Sequence, residues 1–227
     1  MLPVICIVAF AGLLIVVAVM SHIAARKRRE AMAQLALRLG LNYRADRDQD
    51  LARQLEFLNQ LARGENRYAY NVLSGHYQGH EVRVFDYHYE THSRDSKGRR
   101  QTTHHNFSFF VLLLPRGFPE LRIMHEGFLS KIAQAFGYDD IDFESAEFSK
   151  AFCVRSKDKR FAYDFCHGQM MEYLLANRDL NLEVESNVLA LAFTSRLSME
   201  GIERNLGRLL EIRSRLPEYL LTKVSAG

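Results

Sequence analysis

Six of the nine histidines fall within thirty positions: His76, His80, His88, His92, His104 and His105. Side chains alternate across a strand, so Asp86, His88, Glu90 and His92 share one face of an extended segment. A neighbouring strand that begins at His104 and His105 brings further imidazoles to it. Imidazole and carboxylate donors suit zinc or another divalent transition metal, and an open coordination position on such an ion activates water. No HExxH accompanies the cluster, and a solvated strand end running into a polar loop accounts for the same residues. No cofactor is expected beyond a divalent metal at Asp86, His88, Glu90, His92, His104 and His105.

Other chemistry is less well assembled. Asp139, Asp140, Asp142 and Glu144 lack the glycine and the twelve-residue ligand pattern of a calcium loop. Arg94, Lys97, Arg99 and Arg100 make the segment around 93–103 basic, fit for contact with anionic lipid or a phosphate, although a solvated hairpin loop explains them equally. No Walker A or GxSxG motif is present. Cys153 lies between Phe152 and Val154 and reads as a small core residue. Cys166 and His167 are adjacent in sequence, which makes no nucleophile–base geometry.

The element that positions everything else is the amino-terminal run. From Leu2 to Ala25 there is no Asp, Glu, Lys or Arg, and Arg26, Lys27, Arg28 and Arg29 follow at once. A helix of that run reaches roughly 36 Å at ~1.5 Å per residue, enough for a hydrocarbon core of about 30 Å. A cleaved signal would carry basic residues before the apolar stretch and a small-residue cleavage site after it. This run has neither, so residues 1–25 are expected to form a single transmembrane helix. The basic block after it places the amino terminus outside and the rest in the cytoplasm. Arg26, Lys27, Arg28 and Arg29 would lie at the membrane surface among anionic headgroups.

The 227 residues carry a formal net charge of +3, and five of the 30 Lys/Arg but one of the 27 acids lie in residues 1–39. The remainder is nearly neutral, which argues against general nucleic-acid binding. Three cysteines without metal-type spacing fit a reducing compartment.

Ala, Leu, Gln and Arg continue the first helix through residues 26–39, a basic juxtamembrane segment, to Gly40. Residues 40–227 are one domain's length. Asp48 caps a second helix whose Leu51, Leu55, Leu58 and Leu61 face a core up to Gly64. Period-two patterns predict strands at Tyr68–Ser74 and Glu81–Tyr89, joined at Gly75–Gly79. Phe107–Leu114 is apolar on both faces, as in a central strand. A turn cluster follows at Pro115–Pro119, then a short strand at Leu121–Met124. A helix over Phe128–Phe136, short strands at Ile141–Phe143 and Phe148–Arg155, and helices from Asp158 and Gln169 come next. A hairpin around Ser186-Asn187 and a last helix from Ser198 complete the chain. The order predicts an α+β domain with a mostly antiparallel sheet and packed helices behind one transmembrane helix.

Several stretches together resemble an uncharacterised bacterial family of membrane-anchored proteins with a cytoplasmic domain of unknown function. They are Arg63-Gly-Glu-Asn-Arg67, Asn71-Val-Leu-Ser-Gly75, Gly79 to Tyr87, Leu114-Pro115, Asp140 to Glu144, Glu147 to Phe152, and Val154, Ser156 and Lys157. The resemblance spans about residues 27–221. It implies an anchored cytoplasmic domain at the bacterial inner membrane and supplies no catalytic residue. The expected function is a single-pass anchored module whose partners are the lipid bilayer and a membrane-associated protein. The alternatives are a metal-dependent hydrolase using the His-rich hairpin and an assembly subunit acting through its transmembrane helix.

Overall fold

The computed structural model describes residues 2–94, 96, 98–125 and 140–222, with side chains from Val16 onward except at positions 18 and 21. The first element, α1 (Leu2–Leu39), is one helix of 38 residues, about 57 Å long. No Gly or Pro lies between Gly12 and Gly40. Gly40, in the left-handed region at φ +70°, ends the helix. Its later turns are core, with Met32, Leu35 and Ala36 buried, while Val16, Val17, Val19, Met20 and Ile23 are 44–63% exposed. Among the described residues no helix is long and apolar enough to cross a membrane. Most of the run expected to span, residues 1–15, lies outside the described side chains.

The remaining elements are β1 (Asn42–Arg44), α2 (Gln49–Gln54), β2 (Glu65–Tyr77), β3 (His80–Arg94), β4 (Arg100–His125), α3 (Ala146–Ala151), β5 (Phe152–Ser156), α4 (Lys159–Phe165), α5 (Gly168–Ala176), β6 (Leu182–Phe193), α6 (Met199–Arg215) and α7 (Glu218–Leu221). The strands form one six-stranded sheet in the order β1-β2-β3-β4-β5, with β6 also along β4. Every strand pairing is antiparallel. This is the α+β architecture with packed helices that the pattern of elements predicts.

Both faces of the sheet are covered, which is why β4 is apolar on both. On one face α1 and α6 pack Met32, Leu35, Ile202, Leu206 and Leu209 against Val82, Val84, Phe110 and Leu112. On the other, Leu51, Leu55, Leu58 and Leu61 pack against Phe85, Tyr87, Phe109 and Val111. Asp48, Asp158 and Ser198 each cap a helix by accepting a backbone N–H three residues on, as their types require.

The structure departs from the sequence reading at several places. The second helix stops at Gln54, and the later leucines are buried from successive turns. The β2–β3 connection is a two-residue turn, not a five-residue one. Gln78 and Gly79 both have positive φ, the geometry that matches strand twist in a tight hairpin. The polar excursion at 93–103 is mostly strand, because β3 and β4 stay paired as far as Arg94 and Arg100. Pro115–Pro119 is a pair of register breaks within β4. Residues around Phe148 form α3, not a strand. The expected hairpin at Ser186-Asn187 is a single strand, β6. Ser186 takes φ +53° there, and both halves of β6 pair with β4. The helix expected over Phe128–Phe136 lies outside the described residues.

Gly64 marks the closest backbone approach. Its φ is +64°, and a Cβ there would stand 2.3 Å from the Glu90 carbonyl oxygen and 2.6 Å from Tyr89 Cδ2. Gly64→Ala is expected to destabilise the domain by ~2 kcal/mol or more, read as a drop in the thermal unfolding midpoint; an unchanged midpoint would contradict this contact.

Candidate functional site

One face of β3 runs from core to solvent: Val82 and Val84 are buried in the apolar core, Asp86 and His88 are buried polar groups, and Glu90 and His92 are partly exposed. Asp86 is wholly buried. Its Oδ1 accepts the Leu197 N–H at 2.8 Å, and its Oδ2 accepts the Asn71 amide at 2.8 Å and an Arg28 guanidinium N–H at 3.2 Å. The same Arg28 nitrogen donates to the Leu197 carbonyl at 2.8 Å. Asn71 in turn accepts from the Tyr43 hydroxyl at 2.9 Å. Asp86 is therefore spent on structure and is not free to be a metal ligand. Arg28 faces into the domain, not outward with Arg26 and Lys27, which are exposed; Arg26 pairs with Glu30 at 2.8 Å.

Two irregularities in β2 prepare this face. The register shifts between Glu65 and Tyr68 and again between Tyr70 and Leu73. Each bulge holds an asparagine at φ +50°, Asn66 and Asn71, a conformation that Asn tolerates better than most residues. Bulges re-aim side chains, and here both amides reach a β3 carboxylate. Asn71 donates to Asp86, and Asn66 donates to Glu90 Oε1 at 2.7 Å.

Beyond Asp86 a cleft of about 520 Å³ opens. Tyr68, Tyr70, His88, His104 and Asn106 contribute from the sheet, with Arg29, Asp46, Arg47 and Arg196 around them. Arg47 stacks over the Tyr68 ring at 4.4 Å, and Tyr68 stacks on His88 at 4.7 Å. Among the described residues, Arg29, Arg47 and Arg196 have no ion-pair partner. A second cleft of similar size beside α2 differs in this respect, because its Arg44 and Arg83 pair with Asp48 and Glu81. Arg29, one residue from the Arg28 contact, puts the first cleft on the side from which the exposed part of α1 leaves the domain. Such a wall, with three cations against one carboxylate, attracts anionic groups.

Three of the six sequence-predicted metal residues converge in or beside this cleft. Glu90 and His104 are direct cross-strand partners, and His88 lies two residues along β3. Donor atoms of His88, Glu90 and His104 lie within 4.8 Å of one another. The Asn66 amide and then His88 hold the Glu90 carboxyl below its ordinary range. His92 stands apart, bonded to Thr102 at 3.0 Å and near Glu65 at 3.5 Å. His105 points to the opposite face. It stacks on Tyr89 at 4.5 Å and meets Thr91 Oγ1 at 2.9 Å, and burial, then His88 and His104, lowers its pKa. Arg94, Arg99 and Arg100 are exposed at the hairpin tip; Lys97 lies outside the described residues. Arg29, Arg47, Tyr68 and Arg196 as parts of one cleft were missed, since they come from four distant segments.

A second carboxylate group, Glu120, Glu183 and Glu185, also has donor atoms within 4.8 Å, but it holds its own cations. Arg122 pairs with Glu120 and, at 3.0 Å, with Glu183, and Lys157 lies 3.4 Å from Glu120. Burial raises the pKa of Glu183. Burial and then Glu120 raise that of Glu185, whose Oε2 is buried without a hydrogen-bond partner.

Neither a protein-family model nor a curated protein sequence matches the chain. In fold it is similar to the crystal structure of the mycobacterial trehalose monomycolate transport factor A, TtfA, at 18% identity and a TM-score of 0.55, over 83% of this chain and 96% of that one. At that identity the likeness speaks for the fold alone.

Two outcomes follow from these contacts. Asp86→Ala would leave Arg28 without its carboxylate and the Asn71 amide and Leu197 N–H unsatisfied. A loss of about 3–5 kcal/mol is expected in denaturant unfolding, and an effect under ~1 kcal/mol would contradict the latch. A raised carboxyl pKa means that the folded chain holds its proton more tightly than the unfolded chain. Stability then falls as pH climbs from the ordinary carboxylate range towards the raised values. Glu185→Gln is expected to raise the melting temperature at neutral pH and to flatten that fall; an unchanged pH profile would count against it.

Proposed function

We propose that this chain is a single-pass, membrane-anchored module of the bacterial inner membrane that binds a membrane-associated protein partner. The amino terminus lies outside, and the α+β domain lies in the cytoplasm with its cleft turned to the bilayer. The observation that carries this reading is the continuity of α1. One helix runs from the uncharged segment to core-packed Met32, Leu35 and Ala36, and Arg28 bolts it to buried Asp86. A flexible tether would suffice for mere attachment; a rigid one holds a binding surface at a fixed height and angle. Arg26, Lys27 and Arg29 supply the basic girdle expected at headgroups. The name of the structural neighbour, a transport factor, makes a transport assembly the first place to look for the partner.

A second reading, a metal-dependent hydrolase, is favoured by one observation, the convergence of His88, Glu90 and His104 beside unpaired arginines. Water on a bound divalent ion would be its nucleophile.

The test of the first reading uses full-length protein tagged after Gly227. In intact cells the tag should be shielded from external protease. Gently solubilised membranes should yield a membrane protein in stoichiometric amount, and an Asp86→Ala variant that still reaches the membrane should recover less of it. A tag exposed outside, or equal recovery with an unrelated first helix and a detached domain, would overturn the reading.

A further inference from the structure

The β3–β4 hairpin brings together three atoms able to ligate a metal: His88 Nε2, Glu90 Oε1 and His104 Nδ1. Each imidazole nitrogen is 3.4 Å from the same Glu90 oxygen. That is long for an N–H···O hydrogen bond, for which about 2.9–3.0 Å is usual. It matches instead the edge of a coordination tetrahedron: two ligands about 2.0–2.1 Å from a zinc ion stand roughly 3.4 Å apart. We propose that His88, Glu90 and His104 bind one divalent transition-metal ion of the zinc class, with the fourth coordination position open to the Arg-lined cleft.

The groups behind the three ligands are those that such a site requires. Asn106 Oδ1 lies 3.4 Å from His88 Nδ1, so an acceptor stands behind the ring nitrogen that would not ligate the ion. Acceptors in that position orient metal-binding imidazoles. The His88 ring is held between Tyr68, at 4.7 Å, and His104, at 5.4 Å. Asn66 fixes Glu90 Oε1 while leaving that oxygen a second lone pair. All three ligands sit on paired strands, with Glu90 opposite His104 and His88 opposite Asn106. Their spacing is thus set by the ladder. The site is also accessible: His104's side chain is 60% exposed, and the cleft reaches His88 and His104. Two imidazoles and one carboxylate leave a dication with net positive charge, and Arg29, Arg47 and Arg196 add to it, so the open position suits an anionic oxygen ligand such as phosphate or carboxylate.

The glutamate group at Glu120, Glu183 and Glu185 offers no comparable site, because Arg122 and Lys157 already pair with two of its three carboxyls.

Metal uptake is read without any partner or substrate, so it stands or falls separately from partner capture. Full-length protein in mild detergent, stripped by chelator, is titrated with Zn²⁺ and with Co²⁺. One equivalent per chain is expected, with the intense visible absorption of a four-coordinate cobalt site. His104→Ala, at an exposed position where the fold is not at stake, should weaken binding by about tenfold or more and remove the cobalt bands. Glu90→Gln should act in the same direction, whereas His92→Ala and His105→Ala should bind like the wild type. Absence of stoichiometric uptake by the wild type, an unchanged affinity in His104→Ala, or loss of the site in His92→Ala or His105→Ala would each overturn the assignment.

Discussion

A carboxylate without water must find donors within the fold, and most of this architecture is arranged so that Asp86 does. Burying a lone charge costs several kcal/mol, and three donors from three separate segments meet that cost. Arg28 comes from the helix that leaves the domain, Asn71 from a bulge in the neighbouring strand, and the Leu197 N–H from the loop that feeds α6. Each fixes something larger than itself. The Arg28 contact decides where α1 crosses the sheet. The Asn71 contact requires the bulge, and the Leu197 contact starts the helix that covers the same face. Removing the carboxylate would disconnect elements that are otherwise distant in sequence.

The same strand carries the next two polar groups of interest, and their precision has the same origin. Asn71 serves Asp86 and Asn66 serves Glu90, each from a β2 bulge at a left-handed residue. A site built on paired strands with locked rotamers keeps its geometry better than one on loops. Along one face the environment passes from apolar core to structural charge to accessible histidines within a few residues. The histidine end is therefore braced by the stable end, and the accessible and the structural polar groups share one strand without competing for the same side chain.

Much of this was legible. The alternation of β3 put Asp86, His88, Glu90 and His92 on one face, and the double-sided apolar run of Phe107–Leu114 marked the centre of the sheet. Asp48, Asp158 and Ser198 announced their helices because capping is a local event. What failed was long-range or two-state in character. Ser186-Asn187 has the composition of a turn, but β4 offers a partner to both flanks, so β6 runs on through Ser186 and the extra residues are taken up in β4. Arg28 reads as a headgroup contact until the fold places a buried acid beside it, 58 residues away in sequence. His104 and His105 were indistinguishable by type, yet the pairing of β3 with β4 sets Glu90 opposite His104 and sends its neighbour to the other face. That register is what separates three of the predicted ligands from the rest.

The unbroken α1 has a mechanical consequence. A helix with no Gly or Pro between Gly12 and Gly40, pinned to the sheet at Arg28 and packed into the core at Met32, Leu35 and Ala36, moves with the domain as one body. A ten-degree tilt of the exposed half therefore carries a point of the domain 25 Å away by roughly 4 Å, about three residues of helix rise. Displacements of that size change which atoms can meet across an interface. The domain's posture is thus an input that its surroundings can set, and the cleft can respond to a change in the helix's seating without any change in its own fold.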